Sequence, residues 1–234
     1  MSDYVLQDLA EPWWENASPP RLEAGRLVRT FIPFPDVATL GLKLEGRADE
    51  RDHSAARFRV EPIRGGRPPA PSKLPVAALP TNPGESYVVQ RGKRRPALVL
   101  TLGGPEVPRS VATGAPGYQR RSCVLVAPYY GADQGGTRGG FSAAFLERIR
   151  RAEYPQFMAD KLPIDGAAAS VLRLDHVLSL GSDPNNFELT EHRLSAPALE
   201  VVLDWFQWLV EGVIPKDGLL ELARSELRAI DDIE

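Results

Sequence analysis

Four cations fall within five positions at the head of an apolar run: Arg91, Lys93, Arg94 and Arg95, then Pro96 and ALVL. Charge set against the start of a core strand is either a solubilising fringe or a device that holds an anion in a fixed place. Two more basic clusters, GYQRRS at 117–122 and LERIRRAE at 146–153, contrast with an acid-rich end, ELARSELRAIDDIE. The chain carries 28 Lys+Arg against 31 Asp+Glu, a formal net charge of −3, so attraction to a polyanion has to come from local clusters. Other chemistries lack their residues. There is no GxxxxGK[ST] loop, no GxGxxG after a strand, no HExxH and no CxxC pair, which removes P-loop nucleotide hydrolysis and zinc chemistry. His53, His176 and His192 have no ligand spacing and read as solvated or hydrogen-bonded side chains, so neither a metal nor another cofactor is expected. No GxSxG elbow singles out a serine nucleophile. The single cysteine, Cys123 in SCVLVAP, excludes an internal disulfide and reads as a small core residue rather than a reactive thiol.

The elements that must position these residues can be read in outline. A chain of 234 residues with 43% apolar side chains can build a packed core, as one elaborated domain or two small ones. Its first segment, MSDYVLQDLAEPWW, has no basic stretch followed by an apolar one, and no window approaches the ~18 apolar residues of a membrane span. That predicts a soluble cytoplasmic protein. Residues 1–24 form an N-terminal arm with Trp13 and Trp14 as its hydrophobic latch. GRLVRTFIPFP (25–35) alternates as a strand and stops at its prolines. Residues 36–86 are an insertion in which LGLKLEG and ARFRVEPI are short strands among charged and proline-rich pieces, a subsidiary sheet or arm rather than a second core. ESYVVQ, RPALVLTL and SCVLVAPYYG are β-rich runs bounded by turn residues, and PQFMADKLPI and SVLRLDHVLSL supply further strands. GADQGGTRGG (131–140) reads as a glycine-rich loop. FSAAFLERIRRAEY is an amphipathic helix. APALEVVLDWFQWLVEG is a core-facing one, capped by Ser195, closed at Gly212, with its stripe at Leu199, Val202, Leu203, Phe206, Leu209 and Val210. Trp205 and Trp208 flank that stripe, and a last helix spans about 216–230.

The order of these pieces resembles the PemK/MazF-like toxins, small SH3-like barrels that cleave RNA. GRLVRTFIP is similar to the family's opening strand, KRRPALVL to its Arg-Pro-aliphatic signature, CVLVAPYYG to the next core strand, and MADKLPI to its Ala-Asp-Gln segment. The resemblance spans roughly residues 25–35 and 88–211. It implies a mainly β (α+β) fold: an SH3-like barrel over 25–212 with the 36–86 insertion and a C-terminal helix and tail at 213–234. It also implies a metal-independent, sequence-directed endoribonuclease in which a ribose 2′-hydroxyl attacks the adjacent phosphate and leaves a 2′,3′-cyclic phosphate. Arg95 matches the family's catalytic arginine and Asp160 its acidic residue. Tyr130 falls where the family has threonine, a departure that lengthens the reach of the hydroxyl. Arg91, Lys93, Arg94 and Lys161 would contact flanking RNA phosphates, and Tyr129 with Tyr130 would stack on a base or serve as core-edge aromatics. Arg95 and Asp160 could equally form a strand-to-strand ion pair. The alternative function is a non-catalytic barrel that binds nucleic acid or a protein partner. The resemblance further implies a homodimer, joined through the Trp205/Trp208 helix, and an acidic antitoxin peptide as partner; the terminal DDIE could imitate that peptide.

Overall fold

The computed structural model describes residues 6–9, 11–47, 49, 51–52, 56–66, 85–103, 108, 110–111, 113–114, 123–132, 140–164 and 169–229. The chain divides into two units, residues 1–31 with 94–234, and residues 32–93.

The first unit is built on a curled antiparallel half-barrel of mainly β structure with three helices, in line with a small β barrel carrying C-terminal helices. Its strands are β1 (Trp14–Asn16), β2 (Arg26–Pro33), β6 (Gly92–Thr101), β7 (Cys123–Gly131), β8 (Phe157–Asp160), β9 (Ser170–Arg173), β10 (Leu178–Gly181) and β11 (Phe187–Leu194). They follow the order β1-β11-β2-β6-β7-β9-β8, with β10 also on β7. Ala97 to Leu100 and Val124, Val126, Ala127 and Tyr129 are buried, which is why β6 and β7 read as near-continuous apolar runs. β6 begins at Gly92, so Arg94 and Arg95 lie within the strand rather than ahead of it. SVLRLDHVLSL is not one strand. A short 3-10 turn, Leu174–His176, splits it into β9, which pairs with Tyr129–Gly131, and β10, which pairs with Cys123–Val126. The break lies opposite Pro128, which has no N–H to offer a neighbouring strand.

α2 (Ala196–Glu211) starts where Ser195 Oγ accepts from the Ala198 N–H at 3.3 Å, carries Pro197 in its first turn, and stops at Gly212 with φ 73°. Its fully buried residues are Ala198, Val201, Val202 and Trp205, and Leu199, Phe206 and Leu209 of the expected stripe pack against the same core, so the helix departs from the expected face only at Leu203 and Val210. Leu203 is 41% and Val210 68% exposed. Trp205 fixes this face: its ring belongs to the core and its Nε1–H donates to the Tyr154 carbonyl at 3.1 Å. α3 (Leu219–Ala229) adds Leu220, Ala223 and Leu227 to the same core, as the N-terminal segment adds Leu6 and Trp13. α1 (Ala143–Arg150) covers a smaller cluster of Ala132, Ile149 and Val171 on the other side of the sheet. Cys123 is exposed at the mouth of β7, not in the core. Arg26 is a buried cation that the sequence does not betray: its guanidinium donates to the carbonyls of Arg21, Ala17 and Thr190 and pairs with Glu23.

The second unit contains the three-stranded sheet of β3 (Leu40–Arg47), β4 (Ala56–Pro62) and β5 (Tyr87–Val89), ordered β4-β3-β5. Lys43–Glu61 and Arg59–Glu45 pair across it. None of its described apolar side chains except Ile32 is buried. No helix among the described residues is long and apolar enough to cross a membrane.

Candidate functional site

Strand register decides which of the nominated residues can meet. Ala97 faces Pro128 across β6 and β7, so Arg95 stands opposite Tyr130 on the same face of the sheet. Tyr130 in turn faces Val171, and Arg173 lies two residues further along that face of β9. The side chains use this proximity. The Arg95 Cζ sits 4.0 Å from the centre of the Tyr130 ring, and the Arg173 Cζ 5.5 Å from it and 4.8 Å from that of Phe157.

The turn after β9 completes the cluster. His176 Nδ1 lies 3.0 Å from Tyr130 Oη, and its Nε2 2.7 Å from Arg173 Nη2. Because a guanidinium can only donate, Nε2 is the acceptor, and the imidazole carries its proton on Nδ1, directed at the phenol oxygen. Arg173 also donates through Nε and Nη2 to the two oxygens of Asp175, both at 2.7 Å. Arg95, Tyr130, Arg173, Asp175 and His176 thus converge from β6, β7, β9 and one turn. The arrangement can hold an oxyanion beside a phenol and a neutral imidazole.

Asp160 is not part of it. Asp160 and Tyr129 lie on the opposite face, in the main core, because successive residues of a strand point to opposite sides. There the carboxylate accepts from Tyr129 Oη at 2.7 Å, from Trp14 Nε1 at 3.3 Å and from Gln7 Nε2. Burial raises its pKa to about 7, against the pull of its donors, and burial together with the Asp160 charge raises Tyr129 well above the usual phenol value. An Arg95–Asp160 site and an Arg95–Asp160 ion pair are both excluded by this geometry. Tyr129, buried to 2% exposure, is no stacking platform either.

The remaining cations disperse. Arg94, next to Arg95 and therefore on the other face, pairs with Glu188. Arg91 and Lys93 belong to the second unit, where Arg91 lies 5.3 Å from the centre of the Phe34 ring. Lys161 is exposed, and its backbone N–H donates to Gln7 Oε1 at 2.9 Å. Along α1, Arg148 is matched by Glu153, and Arg150 and Arg151 by Glu147. The cluster at 117–122, most of the 131–140 loop, His53 and the terminal DDIE lie outside the described residues. Among the described residues no group of His, Cys, Asp and Glu is placed to hold a metal ion. Sequence reasoning missed Arg173, Asp175 and His176. Their one signal was local, an Arg-x-Asp-His string at the end of an apolar run, and what makes it meaningful is the non-local register with Tyr130. Comparison of the chain with family models, curated proteins and solved structures finds no match.

Proposed function

We propose that the chain is a cytoplasmic, metal-independent endoribonuclease of the toxin type whose working residues are Arg95, Tyr130 and His176. The observation that carries this reading is the meeting of a guanidinium, a phenol and a neutral imidazole on one face of the sheet. Cleavage by 2′-hydroxyl attack forms a bond from O2′ to phosphorus, breaks the bond to O5′, and places negative charge on the phosphorane oxygens. Arg95 neutralises that charge. Tyr130, whose oxygen is held by His176 Nδ1–H, gives its own proton to the leaving O5′, while the 2′-hydroxyl proton passes to solvent water, from which the phenolate is re-protonated.

A second reading has its own support. With Asp160 sealed in the core, the carboxylate at this cluster among the described residues is that of Asp175, which is engaged by Arg173. That suits a barrel that binds RNA or a protein partner without cutting. Either form would bind an acidic antitoxin peptide at the same cationic face. A homodimer joined through α2 would use its exposed Leu203 and Val210, since Trp205 is consumed by the core.

Incubation with mixed-sequence RNA in EDTA separates the readings. Fragments ending in 2′,3′-cyclic phosphate, formed about 10²–10³ more slowly by Arg95→Ala and also lost in His176→Gln, support the nuclease. RNA retained but uncut supports the binding barrel. RNA neither cut nor retained removes the nuclease and the RNA-binding barrel and leaves the barrel that binds a protein partner.

A further inference from the structure

Arg173 is built like an oxyanion clamp. Its Nε–H and Nη2–H make two parallel bonds to the Asp175 carboxylate, the fork geometry in which arginine takes a carboxylate or a phosphate alike. Other contacts hold the guanidinium without that carboxylate: it lies against the rings of Phe157 and Tyr130, and Nη2 also reaches His176 Nε2. Asp175 differs. It sits two residues away on a three-residue turn and is exposed, so a rotamer change moves its carboxylate into water with no shift of the sheet.

We propose that the Arg173 fork is a second phosphate subsite, filled in the free protein by the carboxylate of Asp175, which an incoming phosphate group displaces. Arg95 and Arg173 both lie against Tyr130, so a single phosphodiester chain can engage both guanidinium groups. Asp175 then sets an affinity threshold: a lone anion must compete with a tethered carboxylate, whereas a polyanion anchored at Arg95 does so from high effective concentration. The identity of the polyanion rests on the RNA reading above; the displacement at Arg173 does not.

The test uses two probes on the full chain, a fluorescent mixed-sequence oligoribonucleotide followed by anisotropy and inorganic phosphate followed through the arginine Nε–H resonances. Asp175→Asn is expected to tighten both by about 3- to 10-fold, the range set by one partly exposed ion pair and one removed like charge. Glu191→Gln, which deletes an exposed acid elsewhere, is expected to change either by less than about twofold. Arg173→Lys in the Asp175→Asn background should abolish the gain, because an ammonium has no fork. Asp175→Ser serves the same purpose if the asparagine variant folds poorly. Equal affinities for Asp175→Asn and Glu191→Gln, or a gain that survives Arg173→Lys, overturn the subsite. Tighter phosphate with no RNA binding by any variant upholds the subsite and removes the RNA reading; RNA bound equally by wild type and Asp175→Asn does the reverse.

Discussion

Asp160, 3% exposed, accepts from the side chains of Gln7, Trp14 and Tyr129, and among the described residues no cationic side chain is hydrogen-bonded to it. Such a carboxylate is solvated by dipoles alone, and desolvation outweighs them, holding its pKa at about 7. A carboxyl whose pKa is higher in the folded chain than in the unfolded one binds its proton more tightly when folded. Its contribution to stability is therefore complete below about pH 4 and is lost as pH rises to about 7, by roughly 4 kcal/mol from a shift of about three pH units. Asp160→Asn keeps an acceptor for Gln7 and Trp14 and lets the Tyr129 hydroxyl reverse its role. The variant should therefore gain on wild type steadily between pH 4 and pH 7 and hold a constant advantage above it. Urea unfolding of both proteins across that range measures the difference; a difference that does not change with pH would mean that the carboxyl is not the titrating group. At the same scale, exposed Cys123 should react with a thiol reagent in the folded protein, the opposite of what its apolar neighbours suggest.

At the level of elements, local signals succeeded where the chemistry is local. Ser195, Pro197 and Gly212 bound α2 because a cap, a fixed φ and a left-handed φ are properties of single residues. The buried face of the same helix is legible in part: Leu199, Val202, Phe206 and Leu209 meet the core as expected, whereas Leu203 and Val210 are exposed. Almost the whole helix is apolar, so periodicity alone does not centre its face, and Ala198, Val201 and Trp205 are more deeply buried than the larger aliphatic residues beside them. Trp205→Ala should accordingly cost about 3–5 kcal/mol, and Ser195→Ala about 1 kcal/mol. Val210→Ser, on the expected face, should stay within about 0.5 kcal/mol. Thermal melts of the three variants rank the two faces, and a large loss from Val210→Ser would place that residue in an interface between copies. α3 belongs to the core through Leu220, so truncation after Gly212 unfolds the packing rather than merely trimming an acidic tail.

Over the whole molecule, what was legible was the class of fold, and what was hidden was every pairing between distant segments. β6 and β7 announced themselves by composition. That Arg95 meets Tyr130 and not Asp160 follows from a register one residue wide, since a shift of one position exchanges the two faces of a strand. A motif carried over from a resemblance transfers residue types, but the face each residue occupies is settled by the fold. The second unit illustrates the same limit. Its strands alternate well enough to be recognised, yet their apolar side chains, among them Phe58, Val60 and Val88 at 37%, 50% and 59% exposure, stay in contact with solvent. Sheet hydrogen bonds with so little buried apolar surface around them open at low cost. In native-state hydrogen exchange, amides of β3, such as that of Leu42, should exchange well before that of Val126 in β7, a buried residue paired with Leu178 on one edge and Val99 on the other. Comparable protection in the two sheets would require that β3–β5 be covered in solution, and the natural cover for an exposed apolar sheet is another protein surface.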